Sequence, residues 1–196
     1  IKSVLSQTFQ DFEWILVENG STDKTREIIR KYAALDERIK PDYFDVNQDG
    51  FTNYYIAEKA DGRYIVKIDS DDWIEPEYLE KLIAPFEDPD VDISICGAVN
   101  YEEETGRETP HEYGELDGVY SKSDIEKQFI EMRSYMGTYW GKMFRREIFC
   151  SILPDMKLIK KTAALLFALS LCFSLSTAAR AVVSQSESFY AADYAK

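Results

Sequence analysis

Short apolar runs alternate with amphipathic stretches over the first hundred residues of the chain. The runs are bounded by turn-forming residues, which predicts buried strands at residues 14–17, 39–44, 64–68 and 91–99. Between the strands, apolar residues recur with helical spacing: Ile28, Ile29 and Tyr32 in one helix, and Leu79, Leu82, Ile83 and Phe86 in the next, with Pro76 in its first turn. This alternation predicts an α/β fold with a Rossmann-like, mostly parallel sheet flanked by helices.

Two polar segments follow predicted strands directly. Glu18-Asn19-Gly20-Ser21 comes after the first strand, and Asp69-Ser70-Asp71-Asp72 comes after the third. In open α/β sheets, ligands bind beyond the carboxyl ends of the strands. We therefore expect both segments to lie on the ligand-binding edge of the sheet.

The second segment places three carboxylates within four residues. Such carboxylates repel each other unless a cation or hydrogen-bond donors compensate them. Oxygen ligands in a chain with a single histidine suit Mg²⁺ or Mn²⁺, which bind one or two carboxylates together with substrate phosphates. The alternative is a turn or helix cap with solvated acids, but the position straight after an apolar strand favours a metal site.

Glu18 and Asn19 offer a carboxylate and an amide at the end of a strand. These groups can accept a hydrogen bond from a nucleobase N–H and donate to its carbonyls. Taken alone, the same residues also fit ordinary turn chemistry around Gly20.

The net charge of −13 in 196 residues makes free nucleic acid an unexpected partner. An acidic protein that handles anionic substrates usually needs a divalent cation between the two. Three widely spaced cysteines give no zinc pattern and no disulfide framework. The only histidine, His111, lies in a polar acidic stretch, so histidine-dependent nucleophilic catalysis is not expected.

Several motifs together resemble the family-2 glycosyltransferases of the GT-A fold. They are Ser3-Val4-Leu5-Ser6-Gln7-Thr8-Phe9, Val17-Glu18-Asn19-Gly20-Ser21-Thr22-Asp23, Ala60-Asp61-Gly62-Arg63-Tyr64-Ile65 and Asp69-Ser70-Asp71-Asp72-Trp73. Their order, spacing and flanking residues agree over about residues 1–99. A weaker match extends to about residue 154 through Leu116-Asp117-Gly118-Val119-Tyr120-Ser121 and Gly141-Lys142-Met143-Phe144-Arg145-Arg146.

The resemblance implies a role for each matching residue. Glu18 and Asn19 stand where the family usually has two aspartates that accept the nucleotide base. Asp69-Ser70-Asp71 is the family's DXD motif, so Asp69 would face the nucleotide and the metal, and Asp71 would bind the metal. Asp72 would orient the loop or touch substrate, and Trp73 would stack on a sugar or fill the core. Lys142 and its neighbours would meet phosphate or form a solvated basic helix face, the second being favoured.

The activity implied is transfer of a sugar, of the hexosyltransferase type, from a nucleotide-diphosphate donor to a glycan or lipid-linked acceptor. Mg²⁺ or Mn²⁺ would assist departure of the nucleotide, and the anomeric configuration would invert. The expected setting is bacterial polysaccharide biosynthesis, with the transferase domain in the cytoplasm at the inner face of the membrane. A phosphatase with an aspartate nucleophile also places D-x-D after a strand, but it would not explain residues 18–23.

The resemblance also implies a domain truncated at both ends. The family's first strand would precede Ile1, and its general base would follow residue 148, where only Asp155 is near and its surroundings do not match. The alternative function is therefore a catalytically inactive remnant or fusion that at most binds nucleotide and metal.

The composition changes at Met156. Residues 156–161 form a basic region, residues 162–176 are apolar, and Ala179-Arg180-Ala181 fits an A-x-A cleavage site, as in a secretory signal peptide. We expect a partial transferase domain at 1–155, a signal-peptide-like segment at 156–181 and a tail of unassigned role at 182–196. The preferred interpretation is a junction with the start of an exported protein. The alternative is an apolar helix over residues 162–179 that anchors a cytoplasmic domain to the membrane.

Overall fold

The computed structural model describes residues 1–48, 52–110, 118–130, 138–152, 180–184 and 190–191. The chain divides into two compact units. The small unit is Asp11–Arg63, and the large unit is Ile1–Gln10 together with Tyr64–Lys196.

The small unit contains a parallel pair of strands. Strand β1 (Trp14–Asn19) pairs with β2 (Ile39–Phe44), so that Trp14 faces Ile39 at one end and Asn19 faces Phe44 at the other. Helix α2 (Thr25–Ala33) connects the two strands, and α3 (Thr52–Lys59) follows β2. The predicted order of strand, helix and strand is confirmed here.

Buried apolar residues and one acidic side chain hold this unit together. Ile29 of α2 and Ile39 of β2 are buried, as are Ala57 and Ala60 at the end of α3. The Glu13 carboxylate accepts hydrogen bonds from the backbone N–H groups of Asp61 at 2.6 Å and Gly62 at 3.0 Å, and it pairs with Lys40. Glu13 therefore fixes the segment that leaves the unit.

The main sheet of the large unit has five strands. They are β3 (Tyr64–Val66), β5 (Val91–Cys96), β8 (Gly118–Ser121), β9 (Lys142–Arg145) and β10 (Arg180–Ser184), in the spatial order β3-β9-β5-β10-β8. Strands β3, β5 and β10 run in one direction, while β9 and β8 run in the other. The α/β prediction is confirmed; one antiparallel strand, β9, lies between β3 and β5, and the other, β8, lies at the edge of the sheet.

A second sheet has the order β4-β11-β6-β7. Its strands are β4 (Asp72–Trp73), β6 (Val99–Glu102), β7 (Arg107–Pro110) and β11 (Tyr190–Ala191). Strands β6 and β7 form an antiparallel hairpin in the polar stretch after β5. Because β4 contains Asp72 and Trp73, this sheet takes up the end of the predicted metal segment.

Four α-helices of the large unit lie in the described ranges: α1 (Lys2–Leu5), α4 (Tyr78–Ile83), α5 (Lys122–Ile130) and α6 (Arg146–Ile152). A 3-10 helix, Ala84–Glu87, continues α4. The prediction that Pro76 occupies the first turn of α4 is wrong, because this helix begins at Tyr78. The core contains Leu79, Leu82, Phe86, Val91, Ile93, Ile95, Phe144 and Phe149.

The segment after residue 152 is described only where it forms strands. The predicted apolar helix at 162–179, the candidate base Asp155 and His111 lie outside the described residues. The expected boundary between residues 181 and 182 falls inside β10. None of the helices in the part of the chain that the structure describes is long and apolar enough to cross a bilayer.

Candidate active site

Glu18, a predicted base-binding residue, lies at the end of β1 and is only 1% exposed. One carboxylate oxygen accepts the backbone N–H of Ser21, and the other accepts Nε of Arg26 at 2.8 Å. Burial raises the pKa of Glu18, but the hydrogen bonds from Ser21 and Arg26 outweigh it and leave the pKa lowered. Glu18 is thus a buried anion whose two oxygens both accept hydrogen bonds from its own unit.

Arg26 of α2 is the partner that sequence reasoning missed. Its guanidinium forms an ion pair with Glu18 at 2.6 Å and donates to the Phe44 carbonyl at the end of β2, at 2.7 Å. It also lies over the Tyr43 ring, 5.5 Å from the centroid. One side chain therefore joins the ends of β1 and β2 to α2. A basic residue eight positions after a buried acid was the only signal in the sequence.

Asn19, the second base-binding candidate, is engaged with the turn after β2. Its amide nitrogen donates to Asn47 Oδ1 at 2.8 Å, and its oxygen accepts the Gln48 backbone N–H at 2.8 Å. Gly20 follows with φ +79, where an added Cβ would lie 2.8 Å from Asn47 N and from Val46 C. The turn around Gly20 is therefore packed directly against the backbone that follows β2.

The predicted metal segment forms a turn between β3 and β4. The Asp72 N–H donates to the Asp69 carbonyl at 3.2 Å, and the Asp69 carboxylate pairs with Lys67 Nζ at 2.7 Å. Asp71 is exposed, whereas Asp72 is half-buried. Burial and then the charges of Asp71 and Asp69 raise the pKa of Asp72 to about 6. The charges of Asp69 and Asp71 thus lie close enough to Asp72 to disfavour its ionised form.

A divalent cation suits this donor set. Within the described ranges, no group of three or more histidine, cysteine or acidic side chains is arranged to hold a metal by itself. Mg²⁺ and related hard cations typically take one or two carboxylates and complete their coordination with water and substrate phosphates. Asp69 and Asp71 would supply the protein's share, and the cation would relieve the repulsion that Asp72 experiences.

Trp73 follows the carboxylates on β4. Its ring meets Tyr101 of β6 edge to face, with the centroids 5.3 Å apart and an angle of 70° between the planes. Both side chains are partly exposed. The structure thus shows Trp73 packed against a neighbouring strand with part of its ring exposed, and the predicted stacking on a sugar stays a prediction.

Lys142 is a buried basic residue in the large unit. The prediction of a solvated basic helix face is wrong, because Lys142 begins strand β9 and its side chain is fully buried. Its ammonium group donates to the Thr138 carbonyl and to Thr138 Oγ1, both at 2.9 Å. Burial lowers the pKa of Lys142 to about 7. Arg145, at the other end of β9, donates to the Val91 carbonyl at 2.7 Å.

The two groups of predicted site residues fall in different units. Glu18 and Asn19 belong to the small unit, while Asp69, Asp71, Asp72 and Trp73 belong to the large one. Glu18 and Asn19 end β1, as the sequence predicted. Strand β3 ends at Val66, two residues earlier than predicted, and Asp72 and Trp73 form β4.

The model of the glycosyl transferase family 2 matches residues 1–153. This chain belongs to that family. It is 31% identical over 148 residues to EpsH of Bacillus subtilis (strain 168), covering 76% of this chain and 42% of EpsH. It is also 31% identical over 165 residues to the glycosyltransferase GlyG of Streptococcus pneumoniae serotype 4, covering 82% of this chain and 51% of GlyG. The chain thus spans about half the length of these relatives, or less.

Solved structures share the fold. S. aureus TarS 1-349 in complex with UDP gives a TM-score of 0.75 at 20% identity, over 97% of this chain and 54% of that one. GalNAc-T7 with UDP, GalNAc and Mn²⁺ gives a TM-score of 0.58 at 14% identity, over 92% of this chain and 39% of that one. The GT-A fold expected from the sequence is confirmed.

Proposed function

We propose that this family-2 glycosyltransferase domain binds a nucleotide-diphosphate sugar and transfers the sugar, with metal assistance and inversion, to a glycan or lipid-linked acceptor. The observation that carries the proposal is the acidic turn of Asp69, Asp71 and Asp72 between β3 and β4. The TarS and GalNAc-T7 structures were determined with UDP, which supports a uridine nucleotide as the donor to test first. The proposed setting is the cytoplasmic face of the membrane, in polysaccharide synthesis.

The residues divide the work according to their surroundings. Asp71 is exposed, whereas the Asp69 carboxylate pairs with Lys67, so Asp71 would be the main protein ligand of Mn²⁺ or Mg²⁺. Asp69 shares its charge between Lys67 and the cation. When bound, the metal neutralises the charge that develops on the departing nucleoside diphosphate. Trp73 and Asp72 border the same turn and are the proposed contacts for the sugar.

Base recognition in the small unit falls to Asn19 rather than to Glu18 in this proposal. The Glu18 oxygens already accept hydrogen bonds from Ser21 and Arg26, and the side chain is buried. Asn19 is also hydrogen-bonded, to Asn47 and Gln48, but it is partly exposed, and an amide has a second N–H and a second oxygen lone pair for a ligand. The proposed role of Glu18 is to hold the turn that presents Asn19.

The test is calorimetric titration of the 196-residue chain with UDP, with and without Mn²⁺, followed by an assay for release of UDP from UDP-sugars. We expect binding that depends on Mn²⁺. Asp71→Asn should weaken it at least as much as the roughly 10–100-fold loss that follows removal of a metal ligand's outer partners. Asp90→Asn is the matched control, because Asp90 is an exposed carboxylate that precedes the first residue of β5 and is not part of the acidic turn.

Each outcome is informative. Mn²⁺-dependent binding with transfer supports the full proposal. Binding without hydrolysis or transfer would identify the chain as a non-catalytic nucleotide-binding remnant. Equal UDP affinity for the native chain and for Asp71→Asn would refute the metal assignment.

A further inference from the structure

Gln7 is a polar residue in the interior of the large unit. Its side chain is 1% exposed, and its whole carboxamide is engaged with backbone. Nε2 donates to the carbonyls of Ser3 at 3.0 Å and Glu75 at 2.6 Å, while Oε1 accepts the Leu79 N–H at 2.9 Å. A primary amide has two N–H donors and one acceptor oxygen, so all of its groups are used.

The contact with Leu79 supplies a side-chain acceptor for the N-terminal end of helix α4. The first N–H groups of a helix have no partner within the helix, and an N-cap side chain usually accepts the one at its second or third position. The N-cap of α4 is Glu77, which makes no side-chain capping hydrogen bond. Leu79 is the second residue of the helix, and Gln7 accepts its N–H from 72 positions earlier in the chain.

Gln7 also holds the segment that precedes the helix. Its bond to the Glu75 carbonyl fixes the residue just before Pro76, and the Thr8 N–H donates to the Pro76 carbonyl at 2.8 Å. Together, two adjacent residues after α1 clamp both sides of the turn that leads into α4. The sequence separation explains why no local pattern predicted this contact.

The clamped turn continues the acidic segment. Only Trp73 and the buried Ile74 separate Asp72 from Glu75. Tyr78, in the first turn of α4, is 2% exposed, so the start of this helix is packed in the core of the large unit. The Glu75 carbonyl that Gln7 holds therefore lies only three residues along the chain from Asp72.

We propose that Gln7 is a positioning residue, which fixes the acidic turn at Asp69–Asp72 by capping α4 and anchoring the Glu75 carbonyl. Its effect on ligand binding rests on the proposed function, whereas its effect on the order of the turn does not. Without Gln7, the Leu79 N–H loses this acceptor, and the Glu75 carbonyl keeps the Tyr78 N–H at 3.0 Å but loses its bond to the Gln7 side chain. The turn would then sample conformations in which the carboxylates no longer face a common cation.

The test compares Gln7→Leu and Gln7→Glu with the native 196-residue chain by hydrogen exchange without ligand. Gln7→Glu keeps an acceptor for the Leu79 N–H but loses the donor to the Glu75 carbonyl. Ile93→Val is a control for destabilisation, because Ile93 is a buried residue of β5 and is not among the residues that hydrogen-bond to Gln7. Thr8→Val is a second control, since it removes only the exposed bond to Glu80 and keeps the backbone bond to Pro76.

We expect Gln7→Leu to lower protection in peptides covering residues 69–79 by at least about tenfold, equivalent to about 1.4 kcal/mol of opening free energy. Protection of β5 should change no more than in Ile93→Val. Gln7→Glu should fall between the native chain and Gln7→Leu, and it provides the comparison if Gln7→Leu does not fold. Uniform loss of protection across the large unit, or none at residues 69–79, would overturn the proposal.

Binding gives the second measurement. If the native chain binds UDP with Mn²⁺, Gln7→Leu should weaken that binding by about tenfold, while Ile93→Val of equal melting temperature should not. Unchanged affinity in Gln7→Leu would overturn the positioning role. If the native chain binds no UDP, the proposed function fails, and the exchange result still decides whether Gln7 fixes the turn.

Discussion

Lys142→Met tests whether burial lowers the pKa of the Lys142 ammonium group. The Lys142 side chain is fully buried at the start of β9, and burial lowers its pKa from 10.5 to about 7. Methionine has a similar length and fits the same space without a charge. The change therefore removes a titrating group while disturbing the packing of β9 little.

The expected magnitude follows from the difference between the folded and unfolded pKa values. Below about pH 7 the lysine is protonated in both states, and above about pH 10.5 in neither. Between these limits the unfolded chain binds one more proton, so the free energy of unfolding rises with pH. With these values, Lys142 alone should add about 2 kcal/mol of stability between about pH 7 and about pH 9.

The assay is urea unfolding of the native chain and Lys142→Met at several pH values in that range. The native chain should gain about 2 kcal/mol relative to the variant as the pH rises. A difference taken at one pH mixes the charge with the lost bonds to Thr138, whereas its change with pH isolates the proton. Lys127→Met, an exposed lysine of α5, should show no such trend. A difference that stays constant or falls with pH would refute the reasoning.

Two further substitutions test the turn after β1. Arg26→Met should destabilise the chain by about 3 kcal/mol in urea unfolding, because it leaves the buried Glu18 carboxylate without its ion pair. Arg30 lies beside the same Tyr43 ring, and Arg30→Met should cost under about 1 kcal/mol. Equal losses for the two variants would contradict the role of the ion pair. Gly20→Ala should cost about 2 kcal/mol or more in the same assay, since its Cβ would meet backbone at 2.8 Å. Gly106 has a similar φ of +66, but nothing lies within 4 Å of an added Cβ, so Gly106→Ala isolates the conformational cost of about 1 kcal/mol. If both variants lose the same stability, a steric clash at Gly20 is ruled out.

The strands that carry the candidate site were predictable because each is a local pattern. Strand β1 starts with an apolar run and ends at turn residues, and β3 is a short apolar strand two residues before the acidic turn. Strands β1 and β2 are linked by a helix with one apolar face. Local composition is enough in these cases, because a short apolar run with turn residues beyond it indicates a strand without reference to the rest of the chain. The family motifs could be recognised for the same reason, since each lies within a few consecutive residues.

The start of α4 shows where local patterns fail. Pro76 fits the first turn of a helix by propensity, but the helix begins two residues later, where Gln7 accepts the Leu79 N–H. The partner that decides the boundary lies 72 positions away in the sequence. The prediction for Lys142 in β9 failed for the same reason. A lysine is expected at the surface, and the sequence does not show that Thr138 accepts hydrogen bonds from its buried ammonium group.

The sequence by itself determined the family, the main strands and the position of the acidic turn after β3. Only the tertiary structure decided which polar side chains face ligands and which serve the protein. Glu18 and Gln7 both look like site residues or surface residues in the sequence, yet both are buried and fully hydrogen-bonded. The physical reason is that burial makes a polar group depend on partners from distant parts of the chain, and those partners leave no periodic pattern around the residue itself.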